Sequence, residues 1–309
     1  MRKDFRQIEW DERLIHDCRQ LIRSSIAEDL DRGWDLTSIA LIDSKQEAKA
    51  ALVAREPGVI CGLKACELIL QEADVVHSFQ QHAQDGELVS AGAPVAQICA
   101  SARDLLATER LLLNFTGRMS GVASATRRCI DEIAGTNAQI YDTRKTLPGW
   151  RRLDKYAVRC GGGTNHRTGL FDAILVKDNH LAQIKKCTQP VETNLINVVH
   201  KVRSFLKHQA AQLDLDPETI VEVEVDSLIQ LKEVLPTGPD IVLLDNMSPG
   251  DLRAAVRWRD SLAPEVQLEA SGRVTHDTLR TVAETGVDRI SSGALTHSAP
   301  SLDIGLDWC

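Results

Sequence analysis

The sequence predicts an α/β protein in two parts, a small α/β domain with a sheet followed by a parallel β/α barrel. Three observations predict it. An amphipathic helix and short strands broken by Pro and Gly come first; apolar runs then alternate with helix-compatible segments; and each later run ends in polar, reactive residues. The 309 residues suit one large domain or two ordinary ones. A chain 43% hydrophobic and 26% charged can bury a core, and with aromatics at 4% that core must rest on Leu, Ile, Val and Ala.

In chain order, Leu14, Cys18, Leu21, Ile22 and Ile26 fall at helical spacing and predict a helix over residues 12–30. Strand-like pieces follow at Ala51–Arg55 and Val59–Cys61, punctuated by Pro57-Gly58, Gly86, Gly92 and Pro94. Ser101-x-x-Asp104 reads as a helix start, with the Ser side chain taking a free backbone N–H. The helix should run from Ala102 towards Ile133, kinked or split at Gly117 and Gly121. A boundary near Met119 gives an N-terminal domain over 1–118 and a barrel over 119–295.

Beyond Gly135 the apolar runs are Ala138–Tyr141, Ala173–Val176, Ile220–Val225, Ile241–Leu244, Val266–Leu268 and Arg289–Ser291. Strand and helix in alternation predict a parallel sheet, either doubly wound or closed. The strand ends favour closure, because the C-terminal ends of barrel strands converge on one site. They carry Asp142-Thr143-Arg144-Lys145, Lys177-Asp178-Asn179-His180, Glu224-Val225-Asp226, Asp245-Asn246, Glu269-Ala270-Ser271-Gly272 and Ser291-Ser292-Gly293. The glycine fingerprint of a dinucleotide-binding sheet is missing.

A net charge of −8 argues against nucleic acid or an anionic membrane as main partner. Eight scattered cysteines without a Cys-x-x-Cys pair predict reduced, buried thiols. The charged stretch Met1–Arg13 has no apolar signal core, and no apolar run reaches the roughly 20 residues of a membrane span, so a cytoplasmic location is expected.

Against that acidic background, residues 144–177 carry a net charge of +6. Arg144, Lys145 and Lys177 each follow a strand and should be aimed at the barrel mouth, where several cations together imply a ligand with several negative charges. Arg151, Arg152 and Lys155 fit a solvated helical face. Gly161-Gly162-Gly163 is either a loose connection or a close backbone approach to a ligand, delivering His166 and Arg167. Strict alternation in Val221–Asp226 sends the valines one way and Glu222 and Glu224 the other; inside a barrel those carboxylates need cations or sugar hydroxyls. With Asp245 they suit a ribose and an oxygen-ligated ion. Ser271-Gly272-Arg273 and Ser291-Ser292-Gly293 are turns able to offer backbone N–H groups to a phosphate. His180 is a weaker candidate. A lysine at a strand end such as Lys177 also suits a Schiff-base lyase, and a non-catalytic phosphosugar-binding barrel is a further alternative.

In order, Glu28-Asp29, Gly33 to Thr37, Glu109-Arg110-Leu111, Asn114, Asp142 to Gly149, Lys155 to Val158, Gly163 to Arg167 and Lys177 to His180 resemble the quinolinate phosphoribosyltransferase family. Glu222 to Val225, Leu244-Asp245-Asn246 and Glu269 to Gly272 continue the resemblance over nearly the whole chain. It implies an N-terminal α/β sandwich, with 296–309 packing back on it, and an incomplete, seven-stranded TIM-like barrel. It implies a homodimer in which Arg110 completes the partner's site. Thr143, Arg144, His166, Arg167 and Lys177, with that Arg110, would bind quinolinate. Lys145, Glu224, Asp245, Ser271, Gly272, Arg273, Ser292 and Gly293 would hold phosphoribosyl pyrophosphate. The catalytic set would be Lys145, Glu224 and Asp245, with Mg²⁺ held mainly through the pyrophosphate and also by Glu224 and Asp245.

Overall fold

The computed structural model describes residues 3–31, 33–187, 195–209, 211–213, 215–216 and 218–309. Met1 and the Cys187 side chain, both part of the sequence reading, lie outside the described residues. The chain divides into two compact units, each built from more than one stretch of chain.

One unit comprises Gln7–Arg128, Lys145–Thr164 and Gly293–Cys309. Its first helix, α1 (Glu12–Leu30), starts where the Asp11 carboxylate takes the Leu14 N–H, and it buries Leu14, Cys18 and Ile22 as the spacing predicted. After α2 (Leu36–Leu41) come β1 (Glu47–Ala54), β2 (Gly58–Val59), α3 (Leu63–Glu72), β3 (His77–Gln81), β4 (Leu88–Val89) and β5 (Pro94–Ser101). Then α4 (Ala102–Glu132) opens with the Ser101 hydroxyl accepting from Asp104 N–H at 3.2 Å. Strands β1, β3 and β5 pair antiparallel, and a late strand, β12 (Ile304–Trp308), adds to the free edge of β1.

The expected break in α4 does not occur. Gly117 and Gly121 are places where another segment crosses the helix: Leu302 N–H donates to Gly117 O at 2.9 Å, and a Cβ on Gly121 would overlap Pro300 O. Missing side chains admit a neighbouring backbone here without bending the helix. Ser120 and Ser124 on the same helix bind the backbone of Cys61 and Val59. Beyond them, α5 (Arg151–Cys160) leads into the glycine run, whose purpose is also packing. A Cβ on Gly161 would strike Ala123 O, and one on Gly163 would crowd Thr126 and Val158. Gly161 and Gly163 therefore seat the chain against α4. The solvated face expected for α5 is likewise replaced. Lys155 is wholly buried, Arg152 pairs with Asp17 at 2.8 Å, and Arg151 donates to Thr146 Oγ1 at 3.2 Å.

The other unit comprises Met1–Arg6, Cys129–Arg144 and Asn165–Ser292. Its strands are β6 (Gln139–Tyr141), β7 (Ile174–Val176), β8 (Val221–Val225), β9 (Ile241–Asp245), β10 (Gln267–Ser271) and β11 (Arg289–Ser291), all parallel, in the order β6-β11-β10-β9-β8-β7. From β7 to β11 each strand lies beside the next, and β6 pairs with β11, so the first strand returns beside the last. That is the order of a ring cut once, between β6 and β7. The ring has six strands among the described residues where seven were expected. Helices α6 (Asp178–Cys187), α7 (Leu195–Gln209), α8 (Leu228–Val234), α9 (Pro249–Leu262) and α10 (His276–Ala283) connect them, and α7 to α10 pack in sequence. A short α11 (Ala294–His297) precedes β12.

Residues 3–6 were assigned to the N-terminal domain and belong instead to this ring. Phe5 is buried with Tyr141, Ala173, Ile220 and Ile241. Arg289 lies over the rings of both Phe5 and Tyr141 and donates to Lys3 O at 3.0 Å. The two compact units are interleaved along the chain, which passes between them at Arg128, Arg144, Thr164 and Ser292. None of the cysteines whose side chains are described is in a disulfide; Cys18, Cys61 and Cys66 are buried, while Cys309 is exposed. Among the described residues no helix is long and apolar enough to cross a membrane.

Candidate active site

Parallel strands bring their C-terminal ends to one side of the sheet, and Thr143, Arg144, Lys177, Glu224, Asp245, Ser271 to Arg273 and Ser292 lie at those ends. Thr143 and Arg144 follow β6; Arg144 is half-buried, and its Nε is enclosed without a hydrogen-bond partner. His166 and Arg167 precede β7 in a tightly anchored turn. The buried Asp142 carboxylate accepts from Asn165 Nδ2 at 2.7 Å and from His166 N–H at 2.9 Å, while Asp172 accepts the Thr168 N–H and hydroxyl. The Arg167 guanidinium, 6% exposed, donates to Ala173 O at 3.2 Å. Burial, and then the nearby Arg144 charge, lower its pKa against the pull of Glu222 and Asp172. A like charge acting on a buried guanidinium is what an anionic ligand would relieve.

Lys177 follows β7 and forms an ion pair with Glu224 on β8. His180, exposed on α6, accepts the Lys177 N–H on Nδ1 at 3.0 Å, so its visible part is to shape this turn. Asp245 ends β9, and Ser271, Gly272 and Arg273 follow from β10. Ser292 N–H donates to Tyr141 O at 3.0 Å, tying β11 to β6. A cavity of about 200 Å³ lies between the β9 and β10 ends, lined by Asn246, Ser271, Gly272, Arg273 and Thr278. A larger one, about 460 Å³, has Arg167, Leu175, His180, Ile184 and Lys201 in its lining.

Beneath the mouth lies a buried polar floor. His166 Nε2 reaches Glu222 at 3.1 Å and Glu269 at 3.5 Å. These carboxylates come from β8 and β10, with β9 between them, so inward-pointing side chains of alternate strands meet as they do in a barrel interior. Both glutamates are fully buried. Burial pushes Glu269 up to about 7, helped by the Glu222 charge and opposed by His166, Ser291 and Arg289. Burial pushes Glu222 the same way, but His166, Arg289 and Arg167 outweigh it and hold Glu222 below the ordinary value. Phe5 stacks on the His166 ring at 4.3 Å.

His166, Glu222 and Glu269 are the group among the described residues whose ligand atoms are close enough to hold a metal ion. The imidazole argues against it. Its Nδ1 accepts Arg167 N–H at 2.8 Å, which leaves the proton on Nε2, the atom a metal would need. The His166 Nδ1 faces the Arg167 backbone and its Nε2 the acidic floor.

Lys145, Gly293 and Arg110 fall in the other unit. Thr296 Oγ1 donates to Lys145 O at 2.7 Å, and a Cβ on Gly293 would meet the Lys145 stem at 2.8 Å and the His297 ring at 3.0 Å. Lys145 and Gly293 are thus together, with His297 beside them, a residue the sequence reading passed over. Arg110 is exposed on α4.

Chemically, the ring presents cations at β6 and β7, carboxylates at β8 and β9, and small turns at β10 and β11. Glu224 and Asp245 offer hard oxygen ligands from neighbouring strand ends. They fit an ion of the Mg²⁺ kind, which is bound by one or two carboxylates together with substrate phosphates.

Known proteins resemble this chain over nearly its whole length. Residues 35–120 match the quinolinate phosphoribosyl transferase N-terminal domain, and residues 122–307 match the C-terminal domain of the same family. A nicotinate-nucleotide pyrophosphorylase (carboxylating) of Mycobacterium leprae is 42% identical over 301 residues, covering 95% of this chain and 100% of the relative. A chloroplastic protein of the same name from Oryza sativa subsp. japonica is 37% identical, over 94% of this chain and 77% of its own. The solved nicotinate-nucleotide pyrophosphorylase of Francisella tularensis superposes with a TM-score of 0.86 at 32% identity, covering 99% of this chain and 100% of that one. This chain belongs to the quinolinate phosphoribosyltransferase family.

Proposed function

We propose that this chain catalyses the reaction its family is named for. It transfers the phosphoribosyl group of phosphoribosyl pyrophosphate to quinolinate, with loss of CO₂, to give nicotinate mononucleotide and pyrophosphate in de novo NAD biosynthesis. The observation that carries the reading is the side-by-side placement of an anion-binding group, Arg144, Arg167 and Lys177, and a ribose-binding group, Glu224 and Asp245, joined by the Lys177–Glu224 ion pair.

Arg144, Arg167 and Lys177 take the two quinolinate carboxylates, with Thr143 at the rim, and His166 holds Arg167 in place. Glu224 and Asp245 bind ribose hydroxyls, while Ser271, Gly272, Arg273 and Ser292 offer turns for phosphate. Lys145 and Gly293, with His297 beside them, receive pyrophosphate. Glu224 and Asp245, together with the pyrophosphate, would hold Mg²⁺, which would supply positive charge to the leaving group. The C1′–pyrophosphate bond breaks, giving an oxocarbenium-like carbon that the pyridine nitrogen attacks. The bond from the adjacent ring carbon to its carboxylate then breaks, CO₂ departs, the electron pair stays on that carbon beside the cationic nitrogen, and the carbon takes a proton from solvent. Lys145 offsets charge on the leaving pyrophosphate, and Glu224 and Asp245 orient the ribose. Positioning and electrostatics do the catalysis, with no protein nucleophile. The enzyme works as a cytoplasmic homodimer in which Arg110 enters the partner's site.

A Schiff-base lyase is the weaker reading, because the Lys177 amine is engaged by the Glu224 carboxylate and stands beside a group of arginines. The deciding assay incubates purified protein with phosphoribosyl pyrophosphate, Mg²⁺ and quinolinate. Nicotinate mononucleotide and CO₂ should appear in equal amounts. No turnover, or a borohydride-trapped adduct at Lys177, overturns the reading.

A further inference from the structure

Two residues with left-handed backbone face each other across the ends of β9 and β10. They are Asn246, with φ of 53°, and Gly272, with φ of 85°. Asn246 N–H donates to Ser271 O at 2.9 Å, which fastens one turn to the other. The Asn246 side chain then folds back over Gly272. A Cβ on Gly272 would overlap Asn246 Oδ1 and stand 2.8 Å from Asp245 Oδ1. From that position Asn246 Nδ2 donates to Asp245 Oδ2 at 2.7 Å. One carboxylate oxygen is thereby held, and among the described residues no hydrogen bond is made to the other, Oδ1, which points over Gly272.

We propose that Asn246 is a positioning residue that clamps Asp245 and the Gly272 turn in the geometry that binds phosphoribosyl pyrophosphate. The inference rests on the assignment of Asp245 to the ribose side of the site. A free Asp side chain rotates about two bonds; a donor on Oδ2 removes that freedom and presents Oδ1 to a ribose hydroxyl or an ion. Asn suits the place for two separate reasons. It tolerates a left-handed backbone, and its amide donates where Asp could only accept. Gly272 completes the fit, since any side chain there would expel the amide.

Those two reasons can be separated by substitution. Asn246→Gly keeps the turn and loses the donor. Asn246→Asp keeps the turn and the size, and sets an acceptor against Asp245. Both should bind phosphoribosyl pyrophosphate with Mg²⁺ roughly ten- to a hundredfold more weakly by calorimetry, the range for one hydrogen bond to a charged group. Quinolinate affinity and melting temperature should stay near wild type, and KM for phosphoribosyl pyrophosphate should rise more than kcat falls. Wild-type affinity in both variants would overturn the clamp, as would equal weakening of both substrates. A crystal structure of unliganded Asn246→Gly gives a readout that needs no substrate, with the Asp245 carboxylate expected to leave its present rotamer. An unchanged Asp245 would also overturn the proposal. Wild-type protein that neither binds phosphoribosyl pyrophosphate nor turns over would instead sink the functional reading, and the Asp245 rotamer would still decide the clamp.

Discussion

Glu269 has no exposed surface, and its nearest neighbours include a second carboxylate. In the unfolded chain it loses its proton near the ordinary value; in the folded chain it keeps that proton up to about 7. The folded state therefore binds the extra proton between those limits, and stability falls as pH rises through them. Glu269→Gln mimics the protonated form. The variant should lose less stability than wild type between about pH 5 and about pH 8, with about 3 kcal/mol as the upper bound on the difference. Parallel denaturation curves at the two pH values would contradict this sign. Arg144 makes a different prediction, because its Nε is enclosed without a partner and its charge bears on Arg167. Arg144→Ala should weaken quinolinate binding by about tenfold or more and leave phosphoribosyl pyrophosphate nearly untouched. Calorimetry with each substrate separately is the check, and equal losses would dissolve the division of the mouth into two groups.

Elements repeat the lesson that a residue's meaning depends on what crosses it. Helix propensity says that Gly121→Ala, in the interior of α4, should stabilise by about 1 kcal/mol. Packing says the reverse, because the new methyl overlaps Pro300 O. We expect a loss of about 1–3 kcal/mol by chemical denaturation, the usual cost of overpacking. A gain would mean that the 300–302 segment yields easily. This also marks what was legible from sequence. The strands β6 to β11 were readable because β-branched runs such as Ile241–Leu244 announce a strand without help from elsewhere, and their polar ends announced the mouth. Gly117, Gly121, Gly161 and Gly163 were not, because their partners lie far away in the chain. Lys155 was misread for the same reason: a period of charges along a helix does not say which face another helix covers. Phe5 gave no local signal at all, yet it stacks on His166. Asn246 was quoted in the Asp245-Asn246 strand end but its left-handed turn and its bond to Asp245 emerge only from the meeting of two strand ends.

At the scale of the whole molecule, the open question is where the last cation comes from. The ring supplies Arg144, Arg167 and Lys177 from one chain, whereas Arg110 stands exposed on α4 of the other unit. A closed C₂ dimer that inserts Arg110 into its partner's site makes a quantitative prediction. Neither Arg110→Ala nor Lys177→Ala protein should be active alone. When the two are unfolded and refolded together in equal amounts, half the dimers are mixed. Each mixed dimer has one site with Lys177 from one chain and Arg110 from the other, and a second site lacking both. Activity should therefore return to about a quarter of wild type. If Arg110 serves its own chain, each site in every dimer still lacks one of the two residues, and mixing restores nothing.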